Sequence, residues 1–396
     1  MDFSLSEEQR VICELSRKIL QEQVDEQRLR ELDAATVGER FDRALWRQLA
    51  DAGLLGIAIS PQYGGMGYDF FSLSLLLEEV GRSVAAVPAA NALVAGSLME
   101  KFASEEQCQR CLPALVSGEV LLSLALSEAA ADSARRPQRL RANLDGERLT
   151  LSGSKHYIPY AADADVMIVS AALHGEGDAV ADGDGGVCLV LLDAAQLAPY
   201  LTPIVTTNGE PQCLLECDAL VVDRSAILGG DLKRQSEALH YAVNAATTAC
   251  CAVQLGAADA ALRMTAKYTG ERKQFNVPIA TFQAVAHRAA DAYIDIECLR
   301  LCSQQAASLI DQPIADAEAQ RAVDAAVSMA KIAAGDTGHR VSYSAQQLHG
   351  GTGVDRDYPL WRYCLLLRQM EFTLGSSQQQ LHALGEQIAE HGVDMV

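Results

Sequence analysis

Residues 268–285 read Y-T-G-E-R-K-Q-F-N-V-P-I-A-T-F-Q-A-V. A helix-like run from about Glu237 leads into this stretch, and a second, from about Pro278 to Leu309, leads out of it. Gly270, Asn276 and Pro278 punctuate the join. Proline is tolerated in the first turn of a helix, where its missing N–H would have had no partner. The join sets Arg272, Lys273, Gln274 and Phe275 together at a helix end. A cation and an amide beside the free N–H groups of the next helix suit a phosphate-bearing ligand. Taken alone, the four residues also read as a charged turn in solvent.

Working outward, Gln347-Leu348-His349-Gly350-Gly351-Thr352-Gly353 follows a third long helical run. Three glycines in four residues let the backbone approach a ligand and turn its N–H groups inward. A helix C-cap is the other reading. It is not a dinucleotide G-x-G-x-x-G, because no strand precedes it. In the N-terminal half, Pro61-Gln62-Tyr63-Gly64-Gly65-Met66-Gly67 forms a turn, and Glu78-Glu79-Val80-Gly81-Arg82 ends a helix.

Together these stretches resemble the acyl-CoA dehydrogenase family, which carries R-x-x-F-G-x-P-I-x-x-F-Q and then Q-x-x-G-G-x-G at this spacing. Arg272, Phe275, Pro278, Ile279, Phe282 and Gln283 match the first pattern; Gln347, Gly350, Gly351 and Gly353 match the second. Asn276 replaces the usual glycine. The Tyr63–Gly67 turn, one residue shorter, and the Glu78–Arg82 helix end resemble the family's P-x-x-Y-G-G-x-G and E-E-(L/V)-G-R. The resemblance covers essentially the whole chain.

Periodicity gives an α+β, mostly helical architecture. Residues 1–119 read as a helical domain. Ser4-x-x-Glu7 suggests a capping box opening a helix to about Leu32, with further helices from Phe41 to Ala52 and from Asp69 to Gly81. Residues 120–228 read as a small β-barrel or sandwich domain, with strand-like runs at 121–126, 149–151, 166–169, 187–192 and in pieces over 213–222. The Gly/Asp-rich stretch from Leu173 to Gly186 reads as a surface loop. Residues 229–396 read as a four-helix bundle, its first helix lined by Ala246, Ala249, Ala252, Ala257 and Ala260 at a spacing that allows close helix approach.

The resemblance implies FAD shared across a dimer interface. The flavin ring would lie in one subunit's β domain. The pyrophosphate and adenine would reach the other subunit's R-x-x-F and Q-x-x-G-G regions, here Arg272, Gln274, Phe275, Gln283, Gln347, Gly350 and Gly351. It also implies a catalytic Glu before a G-T or G-S pair near the C-terminus. Here the matching stretch is Phe372-Thr373-Leu374-Gly375-Ser376, and Leu374 stands in that position. The alternative base position, on the helix before Arg272, falls at Ala246-Thr247. No carboxylate stands at either. Ser127-Glu128-Ala129-Ala130-Ala131-Asp132-Ser133-Ala134 departs from T-E-P-x-x-G-S-D. Gly153-Ser154-Lys155-His156-Tyr157-Ile158-Pro159 departs from G-x-K-x-(W/Y)-I-(T/S), and Pro159 has neither hydroxyl nor N–H. The acyl-CoA contact region reads Thr207-Asn208-Gly209-Glu210-Pro211.

The losses fall at flavin-ring and base positions, the matches at flavin-tail positions. The expected function is therefore a subunit of a mixed, α₂β₂-type acyl-CoA dehydrogenase. A homologous partner would supply base and flavin pocket, and the substrate would be an acyl-CoA, by resemblance a steroid side-chain CoA. One alternative is a self-sufficient homotetramer whose base is Glu371, one turn before Leu374 and on the same face if that segment is helical. Another is an acyl-CoA lyase, hydratase or binding protein on the same fold.

Composition sets the outer bounds. A net charge of −20 without a basic patch argues against nucleic acid or an anionic membrane as partner. No 18-residue apolar run stands out, so no transmembrane helix is expected. The acidic, polar N-terminus does not read as a signal peptide. Eleven cysteines without an export signal read as reduced cytoplasmic thiols. Cys108-x-x-Cys111 lacks a second ligand pair, so no metal site is expected.

Overall fold

A computed structural model describes residues 4–129, 133–175 and 186–392. In chain order its main elements are α1 (Glu7–Gln23), α2 (Glu26–Ala34), α3 (Arg43–Asp51), α4 (Phe70–Arg82), α5 (Ala89–Phe102) and α6 (Glu105–Val116). Then come β1 (Leu122–Ala125), β2 (Arg141–Asp145), β3 (Arg148–Pro159), β4 (Val166–Gly175), β5 (Gly186–Asp193), the short α7 (Ala194–Leu197), β6 (Leu201–Ile204) and β7 (Gln212–Asp223). The C-terminal part holds α8 (Gln235–Glu271), the strand pair β8 (Lys273–Gln274) and β9 (Val277–Pro278), α9 (Gln283–Leu309), α10 (Ala317–His349), α11 (Leu360–Phe372) and α12 (Ser377–His391). Helices, then a curled sheet, then a helical bundle is the architecture expected. The chain divides into two compact units, one of residues 30–73 and 86–246, the other of 1–29, 74–85 and 247–396.

The first unit is built on one seven-stranded sheet in the order β1-β4-β2-β3-β7-β6, with β5 on the other edge of β4. β1 and β2 run parallel to β4 and share one of its edges end to end. The remaining pairings are antiparallel. Leu149, Leu151, Val169, Val190 and Leu215 alternate inward and close its core. β3 loses register with β7 twice, at Leu151/Gly153 and at Lys155/Ile158. At Gly153, with φ +122, a Cβ would sit 1.9 Å from the Arg139 carbonyl, so the first bulge requires glycine.

The second unit is helical. Its crossing of α4 on α8 explains the Glu78–Arg82 motif: a Cβ on Gly81 would meet the Val253 carbonyl at 1.9 Å, and one on Gly256 the Glu78 carbonyl at 1.8 Å. Backbone lies on backbone, and the acids and Arg82 seal the crossing. Arg82 pairs with Glu78, Glu79 and Asp259, while Arg300 and Arg17 add to Glu78 and Glu79.

Several expectations need correction. The first capping box is Ser6 with Gln9, not Ser4 with Glu7, and α1 ends at Gln23 before a separate α2. The second bundle helix begins at Gln283 rather than Pro278, because Phe275 and Asn276 both take φ > 0 (+54° and +67°) and close a two-residue hairpin. The last helical run is two helices, since Leu374 (φ +57) and Gly375 (φ +104) break it. The strand pieces over 213–222 are one strand, and residues 173–175 belong to β4. Residues 176–185 of the expected loop lie outside the described residues, as do Ala130, Ala131 and Asp132. One helical stretch, Leu232–Glu271, is long and apolar enough by composition to cross a membrane, which was not expected. It is 83% buried over its most apolar window, as befits a core helix.

Candidate functional site

In the helical unit, α8 ends at the Arg272 turn and α10 ends at the glycine turn. The two turns are some eighty residues apart in sequence, and an aromatic lock joins them. The Tyr268 ring stacks on His349 at 4.3 Å, and Tyr358 closes on both, at 6.2 Å and 5.1 Å. The Tyr268 hydroxyl donates to the His349 carbonyl at 3.4 Å. His349 is 4% exposed, and burial holds its pKa below the ordinary value. Its Nδ1 lies 2.8 Å from the Ala345 carbonyl, which can only accept. The proton therefore sits on Nδ1, and Nε2 accepts from the Tyr358 hydroxyl at 3.2 Å. Tyr268 and Tyr358 carried no signal in the sequence reading. An aromatic one turn before Arg272 was the available clue.

The lock leaves an exposed polar rim. Arg272, Lys273, Gln274 and Phe275 project from the α8 end and the β8–β9 hairpin, and Gln283 opens α9; all are exposed. Phe275 packs edge-on against Phe282. The Gln274 amide donates to the Lys273 carbonyl at 2.9 Å. Gln347, Gly350 and Gly351 are exposed on the facing turn. Gly350, at φ 59 and ψ −135, occupies a region open to glycine alone. A Cβ on Gly351 would meet nothing within 4 Å. Among the described residues no carboxylate forms an ion pair with Arg272, Lys273 or Arg356, whereas Arg17, Arg43, Arg82, Arg234, Arg263, Arg300, Arg340 and Arg368 all have one. Arg356 is stacked on Trp361 at 4.0 Å. Unpaired guanidinium and ammonium groups beside an open glycine backbone fit an anionic ligand such as a pyrophosphate.

The turn holding Leu374 lies in the same unit and is firmly built. Lys331, fully buried, donates to the carbonyls of Met370 (2.5 Å) and Glu371 (3.3 Å) at the α11 C-terminus. Gln380 donates to the Leu374 carbonyl at 3.2 Å. The cradle thus presents an alkyl group with no proton acceptor. Glu371 does not share a face with Leu374, because the helix stops at Phe372. Its carboxylate is held by Arg368 at 2.5 Å and lies 3.5 Å from His339.

In the sheet unit, the stretches that departed from the family pattern are used internally. Lys155, fully buried, donates to Glu128 Oε1 (2.8 Å), Ser170 Oγ (2.9 Å) and the Leu126 carbonyl (3.2 Å). Glu128 also accepts from the backbone N–H groups of Gln138, Arg139 and Leu140. Burial lowers the Lys155 pKa to about 8 against the pull of Glu128. Burial works to raise Glu128, but the ammonium and the backbone donors outweigh it and hold the carboxyl below its usual range. Beyond Lys155 the β3 bulge exposes Tyr157 at φ +56. The Pro159 carbonyl accepts from Ser123 Oγ at 3.0 Å. Pro159 offers no donor, and neither carboxylate oxygen of Glu128 is spare. Pro159 and Glu128 therefore offer no donor to the polar edge of a flavin ring. The Thr207–Pro211 segment turns on itself, with Asn208 Oδ1 accepting from the Glu210 N–H at 3.0 Å.

Such a pair of units carries an acyl-CoA dehydrogenase fold. Residues 237–389 match the family model described as acyl-CoA dehydrogenase, C-terminal domain, and residues 6–119 the one described as acyl-CoA dehydrogenase, N-terminal domain. The chain belongs to the acyl-CoA dehydrogenase family, whose cofactor is FAD and whose members act as oxidoreductases on CH–CH bonds. Acyl-CoA dehydrogenase FadE27 of Mycobacterium tuberculosis is 33% identical over 392 residues, spanning 98% of this chain and 99% of the relative. Among solved structures, the ChsE4–ChsE5 complex from Mycobacterium tuberculosis superposes with a TM-score of 0.87 at 32% identity, covering 98% of this chain and 99% of the other. A variant of the Tcur3481–Tcur3483 steroid ACAD gives 0.86 at 37% identity, covering 98% and 99%.

Proposed function

We propose that this chain is the non-catalytic subunit of a heteromeric, FAD-dependent acyl-CoA dehydrogenase. It holds the tail of a cofactor whose ring is seated in a homologous partner. The observation carrying this reading is the aromatic lock. It brings unpaired Arg272 and Lys273 to an open glycine turn, while the base position is occupied by Leu374. FAD, when bound, supplies the acceptor for the hydrogen removed across the α,β bond of the thioester. This chain's residues bind and orient: Arg272 offers a fixed fork of donors, Gln274 and Gln347 offer amides, and Gly350 and Gly351 offer backbone N–H groups. Leu374 accepts no proton at any pH, so α-proton abstraction falls to the partner.

That two similar solved structures are named as complexes of two different chains favours a mixed α₂β₂ assembly. One is named as a steroid ACAD, which favours a steroid side-chain CoA as substrate. No nucleic acid, membrane or metal enters this reading, and the assembly is placed in the cytoplasm. Flavin quantified against protein in the assembled complex tests it. One FAD per heterodimer is expected, because the fold's symmetry offers two equivalent positions and only the one with its ring in the partner can fill. Two per heterodimer, or a stoichiometric yellow flavoprotein from this chain alone, would refute it.

A further inference from the structure

In the helical unit a narrow slot is lined by α8, α9 and α10 together. Small side chains at Ala289 and Ala292 on α9 and at Ala345 on α10 leave the gap. Of the nine lining residues six are alanine, leucine or valine, and the polar three are Thr265 on α8, Arg288 on α9 and Ser344 on α10. No carboxylate is among them. About 10 Å³ remains in which the centre of a water-sized body can sit, which is room for one such body.

Arg288 sets the chemistry of the slot. Its Nη1 is shut off from solvent and has no hydrogen-bond partner in the protein. Among the described residues no ion pair engages its side chain. The Tyr343 ring lies 5.9 Å from the guanidinium carbon, at the outer reach of a cation–π contact, and is itself 63% exposed. An arginine keeps its charge at any working pH. A buried charged donor without an acceptor is costly, more so than a neutral one. The Thr265 hydroxyl already donates to the Ala261 carbonyl at 2.7 Å, whereas the Ser344 hydroxyl is free to rotate toward an acceptor.

We propose that this slot binds a single chloride ion, held by Arg288 Nη1 and the Ser344 hydroxyl. Charge and size choose the occupant. A permanent cation faces walls that carry no acid, and a water molecule would accept its hydrogen bond but leave the charge unbalanced. Sulfate, phosphate and carboxylates each have three or more heavy atoms and exceed the space for one. The slot adjoins the aromatic lock: Leu348 precedes His349, and Ala345 both lines the slot and accepts the His349 ring proton. The ion thus ties α9 to the end of α10 from which the glycine turn departs.

The test compares melting curves of the full chain, read by circular dichroism, in chloride, bromide and gluconate at one ionic strength. Crystals grown in bromide are examined for anomalous scattering. The parent should melt about 2–4 °C lower in gluconate, which is too large for the slot, than in either halide. Arg288→Met should melt alike in all three salts, and no lower than the parent in gluconate, because it removes an uncompensated buried charge. Should that variant not fold, Arg288→Gln keeps a neutral donor and should likewise lose the halide effect. Ser344→Ala should shrink the effect, and a bromide peak should stand beside Arg288 Nη1. A parent melt indifferent to halide overturns the proposal and leaves water on Nη1. A halide shift retained in both Arg288 variants places the ion elsewhere and overturns it too. A bromide peak at Arg288 without a halide-dependent melt marks an adventitious ion only, and has the same consequence.

Discussion

Replacing Glu128 with Gln strands the Lys155 ammonium in a fully buried site with only the Ser170 hydroxyl and the Leu126 carbonyl for company. Losing one partner of a buried pair costs about 3–5 kcal/mol. The lysine has an escape: at pH 7 it can shed its proton for about 1.4 kcal/mol per unit below the ordinary pKa, or roughly 5 kcal/mol, which caps the loss. With Glu128 present, the ammonium titrates near 8 against an ordinary 10.5. A depressed lysine means the unfolded chain holds more protons between those values. Stability therefore rises with pH across that window, and the burial cost stands in full below about 8. Glu128 works the other way, its contribution being present above the ordinary carboxylate value and lost in acid below it. From pH 7 to 9 the Glu128→Gln protein gains about 2.7 kcal/mol and the parent about 1.4, so the gap should narrow by about 1.4 kcal/mol. Lys155→Met should cost less, about 3 kcal/mol, because Glu128 keeps three backbone donors. The double substitution should cost less than the sum of the singles. The assay is urea unfolding at pH 7 and pH 9 in a Trp361→Phe background, where Trp46 is the remaining tryptophan and reports the sheet unit. Equal, pH-independent losses for the two single variants, or full additivity, would refute the reasoning.

Arg272→Ala should cut FAD retention by the assembled complex about tenfold to a hundredfold, the worth of one charge-assisted contact at roughly 1.5–3 kcal/mol; equilibrium dialysis with FAD measures it, and unchanged retention removes Arg272 from the site. Leu374→Glu should leave this chain inactive, since a base without a seated flavin has no hydride acceptor, and Glu371→Gln should leave turnover of the complex nearly unchanged; steady-state turnover reads both, and loss of turnover in the second would revive the displaced base. Gly81→Ala should prevent soluble folding, because the added carbon would lie 1.9 Å from the Val253 carbonyl; a soluble variant with a parental melting curve would show that the crossing yields.

Fold and family were legible because the signals are local. The Tyr63–Gly67 turn, the Glu78–Arg82 end and the two bundle turns each depend on residues within a few positions. The seven-stranded order was not legible, because β1 and β2 share an edge of β4 through pairings thirty or more residues apart. Helix ends were misplaced where Phe275 and Leu374 take left-handed backbone that neither residue type signals; only Asn276, a residue that tolerates that region, hinted at the turn. Within the candidate site, the charged and glycine residues could be read directly. The Tyr268–His349–Tyr358 lock could not, since it depends on two helix ends meeting. The role of Glu128 was equally hidden: its partner Lys155 sits on a strand that the sequence reading treated as altered, not as a load on the core.

The glycines differ in what fixes them. Gly65, Gly81, Gly153 and Gly256 are dictated from within, each with backbone so near that no Cβ fits. Gly351 has ordinary φ and nothing within 4 Å, so the chain's own packing gives no reason for glycine there. Gly270, inside α8, is equally unconstrained, although glycine within a helix costs roughly 1 kcal/mol against alanine. Gly38 and Gly385 are as unconstrained elsewhere, whereas Gly270 and Gly351 lie at the end of the helical unit that carries Arg272, close to the Tyr268–His349 stack. Unused space and the unpaired Arg272 and Lys273 occur together at that end, while in the sheet unit Glu128 and Lys155 are spent on each other and on neighbouring backbone. A chain that served its own flavin would invert that distribution, with open donors at the β3 bulge and a carboxylate on the Leu374 turn. On the proposed reading, what this chain leaves open at that end serves the tail of a cofactor seated in a partner.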